Sequence, residues 1–138
     1  MIYDKARGFA SSIELSYLNG TPGFRLGGEA TDDLSGVAVN AAEDVNVEGF
    51  DDIIVGARLG NPDSLGNAGK SYVVFGKASG FASSILSPTH NGTTGLRLDG
   101  AAPEDRTGPS ASVAGDVNVV GFVEFIVGAR IANPHPPG

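Results

Sequence analysis

Two acidic loops hold the residues of this chain best suited to chemistry. The first reads Asp44-Val45-Asn46-Val47-Glu48-Gly49-Phe50-Asp51-Asp52, with oxygen-bearing side chains at alternating positions and a glycine after the third. Hard oxygen donors at this spacing, with a glycine permitting a sharp turn, are what a Ca2+ loop requires. The bland alternative is an acidic, solvated β-turn. The second loop, Asp116-Val117-Asn118-Val119-Val120-Gly121-Phe122-Val123-Glu124, keeps the frame and loses donors. Val120 cannot ligate, and Glu124 stands where the first loop has Asp52. Ligand charge sets affinity in such loops, so the second is expected to be weak or empty. Its turn is then held by Asp116 and Asn118 accepting backbone amides, as Asx turns do.

Other reactive side chains form no catalytic constellation. His90 and His135, the only histidines, read as exposed loop residues. Asp32-Asp33 and Glu104-Asp105 read as solvated turn-formers, and Arg25, Arg58, Arg97 and Arg130 as partners in ion pairs between strands or repeat units. The chain is therefore expected not to be an enzyme.

Composition sets the scaffold for these loops. The 138 residues suffice for one ordinary domain, and 21 glycines and 8 prolines leave little room for long helices. With 41% hydrophobic residues the chain is expected to fold, as a turn-rich all-β structure. A net charge of −7 argues against nucleic acid or an anionic membrane as partner and suits a cation binder. There is no cysteine, hence no disulfide framework or thiolate chemistry. No apolar run approaches the length of a membrane-spanning helix. The opening MIYDKARGFASS lacks a signal-peptide pattern, so either an export signal has been removed or the chain is a piece of a larger protein.

Shifted by 72 residues, the sequence aligns with itself over positions 1–66 without a gap, with 33 of 66 pairs identical. GFASSI at 8–13 recurs at 80–85, NGTPGFRLGG at 19–28 recurs as NGTTGLRLDG at 91–100, and EDVNVEGFDDIIVGARLGNP at 43–62 recurs as GDVNVVGFVEFIVGARIANP at 115–134. This is a tandem repeat of two units. Strands are expected at 36–42, at 52–57 (DIIVGA, a continuous apolar run suited to a sheet covered on both faces), at 71–75 (SYVVF) and at 95–98 (GLRL). Their counterparts are 108–114, 124–129 and 23–26. The segment 78–85 is the best helical candidate, but Gly80 interrupts it, and it reads as a loop or short turn.

The ordered set of small strand, GDVN-x-x-G-F-x-D, apolar strand, GA-x and SYVVFGKA resembles FG-GAP repeats, which build integrin-α-type β-propellers. The resemblance covers nearly the whole chain. It implies four-stranded antiparallel blades with the strand at 36 or 108 innermost. In that family the loop between the first two strands binds Ca2+. Asp44, Asn46, Glu48 and Asp52 would then give side-chain oxygens and Phe50 its carbonyl, although Glu48 stands where the family usually has Asp. Asp116, Asn118 and Glu124 would be the degenerate counterpart. Ligands in the family are taken on the opposite side, which corresponds here to 27–35, 59–70 and 100–107.

In these terms residues 1–35 are an outer half-blade, 36–98 a complete blade and 99–138 an inner half-blade. Two blades cannot close a ring. Either the chain belongs to a longer propeller, or copies associate head to tail into a homo-oligomer, the preferred reading. The function implied is a non-enzymatic, calcium-assisted binding or adhesion-type module for a protein or glycan ligand, extracellular or on the cell surface. The alternatives are a purely structural self-assembling repeat, reduced or engineered, and an accessory fragment of a secreted hydrolase or lyase.

Overall fold

Apolar and β-branched runs between glycine-marked turns become strands here, and the only helical segments among the described residues are two short 3-10 turns, Leu15–Tyr17 and Pro62–Ser64. The computed structural model describes residues 1–3, 11–78, 80–86 and 92–132. Eight strands follow in order: β1 (Arg25–Gly27), β2 (Ser35–Glu43), β3 (Asp52–Ala57), β4 (Lys70–Val74), β5 (Ser84–Leu86), β6 (Gly95–Asp99), β7 (Thr107–Gly115) and β8 (Glu124–Ala129). The four strands expected within one repeat unit form one antiparallel sheet in the order β2-β3-β4-β6. The corresponding first pair of the second unit, β7-β8, forms a two-stranded antiparallel sheet.

The repeat is visible in the ladders. β2 and β7 each carry two register shifts, at matching places against β3 and β8. Ile2 bridges Gly23 antiparallel, as Val74 bridges Gly95 seventy-two residues later. Residues 1–3 therefore stand in the place that β4 occupies in the complete sheet.

Two local readings change. The segment 78–85, read as loop or short turn, ends in a strand: β5 starts at Ser84 and pairs in parallel with β1 from the preceding unit. Its apolar residues lie too close to Gly80 to show a strand signal of their own, and the pairing partner is remote in sequence. Asp33 and Asp105, read as solvated, are buried. Each is a turn-former nonetheless. Asp33 accepts the Ala30 amide at 3.2 Å and Asp105 the Ala102 amide at 2.9 Å.

The core lies between sheets. Ala42, Ile54 and Val73 on one face of the four-stranded sheet meet Ala111 of β7, with Phe125 and Val127 of β8 packed around them. Asn40 donates its side-chain amide to the Ala111 carbonyl at 2.6 Å. A Cβ on Gly56 would fall within 1.8 Å of the Gly108 carbonyl oxygen. The two sheets thus touch backbone to backbone, which only glycine permits.

On the other face, the pair formed by residues 1–3 and 22–24 packs through an aromatic cluster in which Phe24 stacks on Phe81, centroids 4.5 Å apart, with Tyr3 beside both. An ionic clamp ties the same pair down. Glu29, which follows β1, pairs with the buried Lys70 of β4 and lies 3.4 Å from Arg97 of β6, itself bonded to Asp99 at 2.7 Å. Burial pushes the Glu29 carboxyl up, but Lys70 and Arg97 together outweigh it and hold the group below its ordinary value.

A folded-state pKa below the unfolded one means that the stabilisation is complete above the unfolded pKa and is lost as pH falls through the folded one. Glu29→Gln leaves Lys70 buried without its counter-charge and should cost about 3 kcal/mol at neutral pH. In urea titrations the difference from wild type should be constant at neutral pH and shrink below about pH 4.3.

Candidate functional site

The β2-β3 loop is built by carboxylates capturing amides. Asp44 Oδ1 accepts the Glu48 amide at 2.9 Å and Oδ2 the Gly49 amide at 2.6 Å, while Asn46 Oδ1 accepts Glu48 at 3.3 Å. Val47 and Gly49 take positive φ, 60° and 90°, to close the turn. Asp52, buried at the start of β3, fastens the loop at its base. It accepts Val45 at 3.0 Å and Gly76 at 2.7 Å. Burial raises the Asp52 pKa against those two amides, and the neighbouring Asp44 and Glu48 charges raise it further.

The β7-β8 loop repeats this geometry. Asp116 accepts Val120 at 3.0 Å and Gly121 at 2.8 Å, Asn118 accepts Val120 at 3.2 Å, and Glu124 accepts Val117 at 2.8 Å. Val119 and Gly121 have φ of 60° and 91°. The Asx turn expected for the second loop therefore holds both loops, and it forms with Val120 or Glu48 alike.

For Ca2+, the donor set of the first loop has suitable chemistry: Asp44, Asn46, Glu48 and Asp52 supply hard oxygens on one short segment. A carboxylate oxygen that accepts one amide retains a second lone pair. The Asn46 side-chain oxygen is engaged by the Glu48 amide, while its side-chain nitrogen is buried without a hydrogen-bond partner. The residues fit the ion by type. Among the described residues, however, no three acidic or histidine side chains are gathered around one point. Glu48 and Phe50 are exposed, Glu48 on the wall of an apolar cleft of about 600 Å3 bounded by Phe75, Phe81, Ile85 and Thr94. Sequence reading missed this cleft because five of its twelve lining residues come from 80–85, where no strand was expected.

At the opposite end of the sheets, three loops are joined into one platform. In the 58–69 loop, the carbonyls of Gly66, Asn67 and Ala68 accept the amides of Glu104, Arg106 and Thr107, at 2.9, 3.1 and 2.9 Å. The Asn67 side chain reaches Glu104 at 2.9 Å. Leu59 donates to the Asp33 carbonyl at 3.2 Å, and Ile131 to Asp105 at 3.1 Å, the same contact one repeat on. Seven non-glycine residues here take positive φ: Asp32, Leu34, Asp63, Ser64, Asn67, Glu104 and Arg106. Backbone held in this region is strained, and such strain collects at functional sites.

Of the other residues singled out in the sequence, Arg97 makes the expected ion pair between units, whereas His90 and His135 lie outside the described residues. Glu29 and Lys70 were not legible as a pair, since the repeat places Ala101 opposite Glu29.

No protein-family model matches the chain, and no curated protein matches it. No helix among the described residues is long and apolar enough to cross a membrane.

Each of Asp44→Ala and Asp116→Ala removes a carboxylate that holds two amides, and in chelator each should cost about 1–2 kcal/mol. A Ca2+ site at Asp44 predicts that adding Ca2+ raises the melting temperature of wild type and Asp116→Ala alike and leaves Asp44→Ala unmoved. Differential scanning fluorimetry with and without chelator reads all three.

Proposed function

We propose that this chain is a propeller segment of the FG-GAP type that serves as a non-enzymatic binding module. The observation that carries this reading is the joined platform at one end of the sheets, opposite the carboxylate loops. Residues 36–98 correspond to one blade, running outward from β2 to β6. Residues 1–35 are the outer half of a preceding blade and 99–138 the inner half of a following one. Ca2+ in the loop of Asp44, Asn46, Glu48, Phe50 and Asp52 stiffens one end. The loop of Asp116, Asn118 and Glu124 keeps its turn through amide bonds alone.

The platform is where a protein or glycan ligand is taken. Its tip, Asn61, Asp63, Ser64 and Gly66, is exposed, while Pro62 and Ala68 beneath it are buried. The Asn61 side-chain oxygen accepts the Asn67 amide at 2.6 Å and belongs to the frame; the side chains of Asp63 and Ser64 can vary while the hydrogen bonds between loops hold the backbone. The resemblance to FG-GAP repeats implies an extracellular or cell-surface setting.

Glycan arrays and binding to cell surfaces, in Ca2+ and in chelator, test the reading. A ligand is expected that binds in Ca2+, and Asp63→Lys should weaken it by about tenfold or more with no change in melting temperature. Folded protein that gives no signal on either surface contradicts it.

A further inference from the structure

We propose that a second copy of this chain seats on the outer face of β7-β8, remaking between chains the sheet contact that each chain makes once within itself. The contact inside the chain has two sides. One is the face of the four-stranded sheet bearing Ile54 and Asn40, and the other is the face of β7-β8 bearing Ala111, Phe125 and Val127. Because the units repeat at 72 residues, each side has an equivalent elsewhere in the same chain. The equivalent of Ile54 is Ile126, and the equivalent of Ala111 is Val39.

Burial differs sharply between these equivalents. Ile54 is 0% exposed and Ile126 63%, while Ala111 is 3% exposed and Val39 58%. Val37, beside Val39 on β2, is also exposed. The chain thus carries both sides of its own interface a second time, each uncovered. The glycines repeat the pattern. Gly56 and Gly108 press together inside the chain, whereas their equivalents behave differently: Gly36 has nothing within 4 Å, and Gly128 meets only Ser110 of its own sheet.

The strand edges agree with the faces. Residues 1–3 occupy the place of β4, bonded on one side to 22–24. In the complete sheet the other side of β4 is taken by β3, with Ile53 opposite Val74. Carried over by 72 residues, that register sets Phe125 of one copy opposite Ile2 of the next. A cleft of about 250 Å3 lies at that place, walled by Met1, Tyr3, Phe24, Phe50 and Ile53. The incoming β7-β8 pair would extend the edge of residues 1–3 and bring Ile126 down towards Val39. Faces that differ on the two copies make a head-to-tail contact, which closes into a ring when the rotation fits.

The inference rests on the blade reading above and is independent of Ca2+ and of any ligand. Light scattering of the wild-type chain at up to about 100 µM should give a single species at an integer multiple of 14.0 kDa. Ile126→Lys and Val39→Lys should each give the mass of one chain. Mixed in equal amounts they should form a two-chain species, because the intact β8 face of the Val39→Lys chain meets the intact β2 face of the Ile126→Lys chain. If either lysine variant fails to fold by circular dichroism, Ile126→Ser and Val39→Ser replace them, with assembly weakened about tenfold or more and the same rescue on mixing.

A wild-type chain that stays at single-chain mass overturns the proposal; that is also the result if these faces are covered by flanking repeats of a longer chain. Variants that still assemble, or folded variants that do not pair on mixing, overturn it as well. Assembly without Ca2+ binding or glycan and cell binding would sink the module reading and leave this one standing.

Discussion

Everything in this molecule is arranged around a place where two sheets meet with no side chain between them. Gly56 of β3 and Gly108 of β7 approach so closely that a single methyl group on Gly56 would overlap the opposing carbonyl. That approach lets Ile54 and Val73 reach Ala111, and lets Asn40 bond the Ala111 carbonyl. Within the chain, the small Ala111 fits against Ala42, Ile54 and Val73 at this separation. Dispersion contacts weaken steeply with separation, so the core between the sheets depends on this close approach. The apolar run of β3 makes sense in the same terms. It is covered on one face by β7-β8 and bordered on the other by the aromatic cluster of Tyr3, Phe24 and Phe81, so it has no need to alternate.

The two ends of the sheets use opposite means to order their loops. At the β2-β3 and β7-β8 ends, carboxylates hold amides mainly within seven residues in sequence, and Asp52 adds one longer tie to the Gly76 amide. At the other end, the loops are held by one another, through backbone bonds between 58–69 and 100–107, and the cost appears as positive φ at residues as large as Leu34 and Arg106. A local device survives the replacement of Glu48 by valine in the second unit. A mutual device ties neighbouring units together, which makes its shape a property of the pair of units rather than of either alone. The Glu29 clamp belongs with the second kind, joining the first unit to β4 and β6.

Much of the sheet was legible in the sequence, because the 72-residue repeat supplies every strand with a second copy that must fit the same place. DIIVGA and EFIVGA form the same strand although they share only four of six residues, and the strand bounds fall within a residue or two of those expected. The carboxylate loops were legible for the same reason. What the sequence did not disclose depends on contact between units. β5 becomes a strand only because β1 of the earlier unit lies beside it. Asp33 is buried where the Leu59 amide meets its carbonyl, and nothing in the dipeptide Asp32-Asp33 separates a solvated turn from a buried one. Glu29 has no counterpart in the second unit, so the repeat was silent about it. The asymmetry between Ile54 and Ile126 is likewise invisible in two identical residues.

The central claim is that one sheet contact organises the chain internally and again between chains. Hydrogen exchange across a dilution series tests it most directly, because identical sequence at 54–58 and 126–130 (IVGAR) removes intrinsic differences between the two strands. In β3, bonded to β2 and β4, protection should be independent of concentration. In β8, the amides pointing away from β7 should exchange rapidly in dilute protein and gain protection as concentration rises, approaching that of β3. Amides on β8 that remain unprotected at every concentration, while β3 stays protected, would contradict the account.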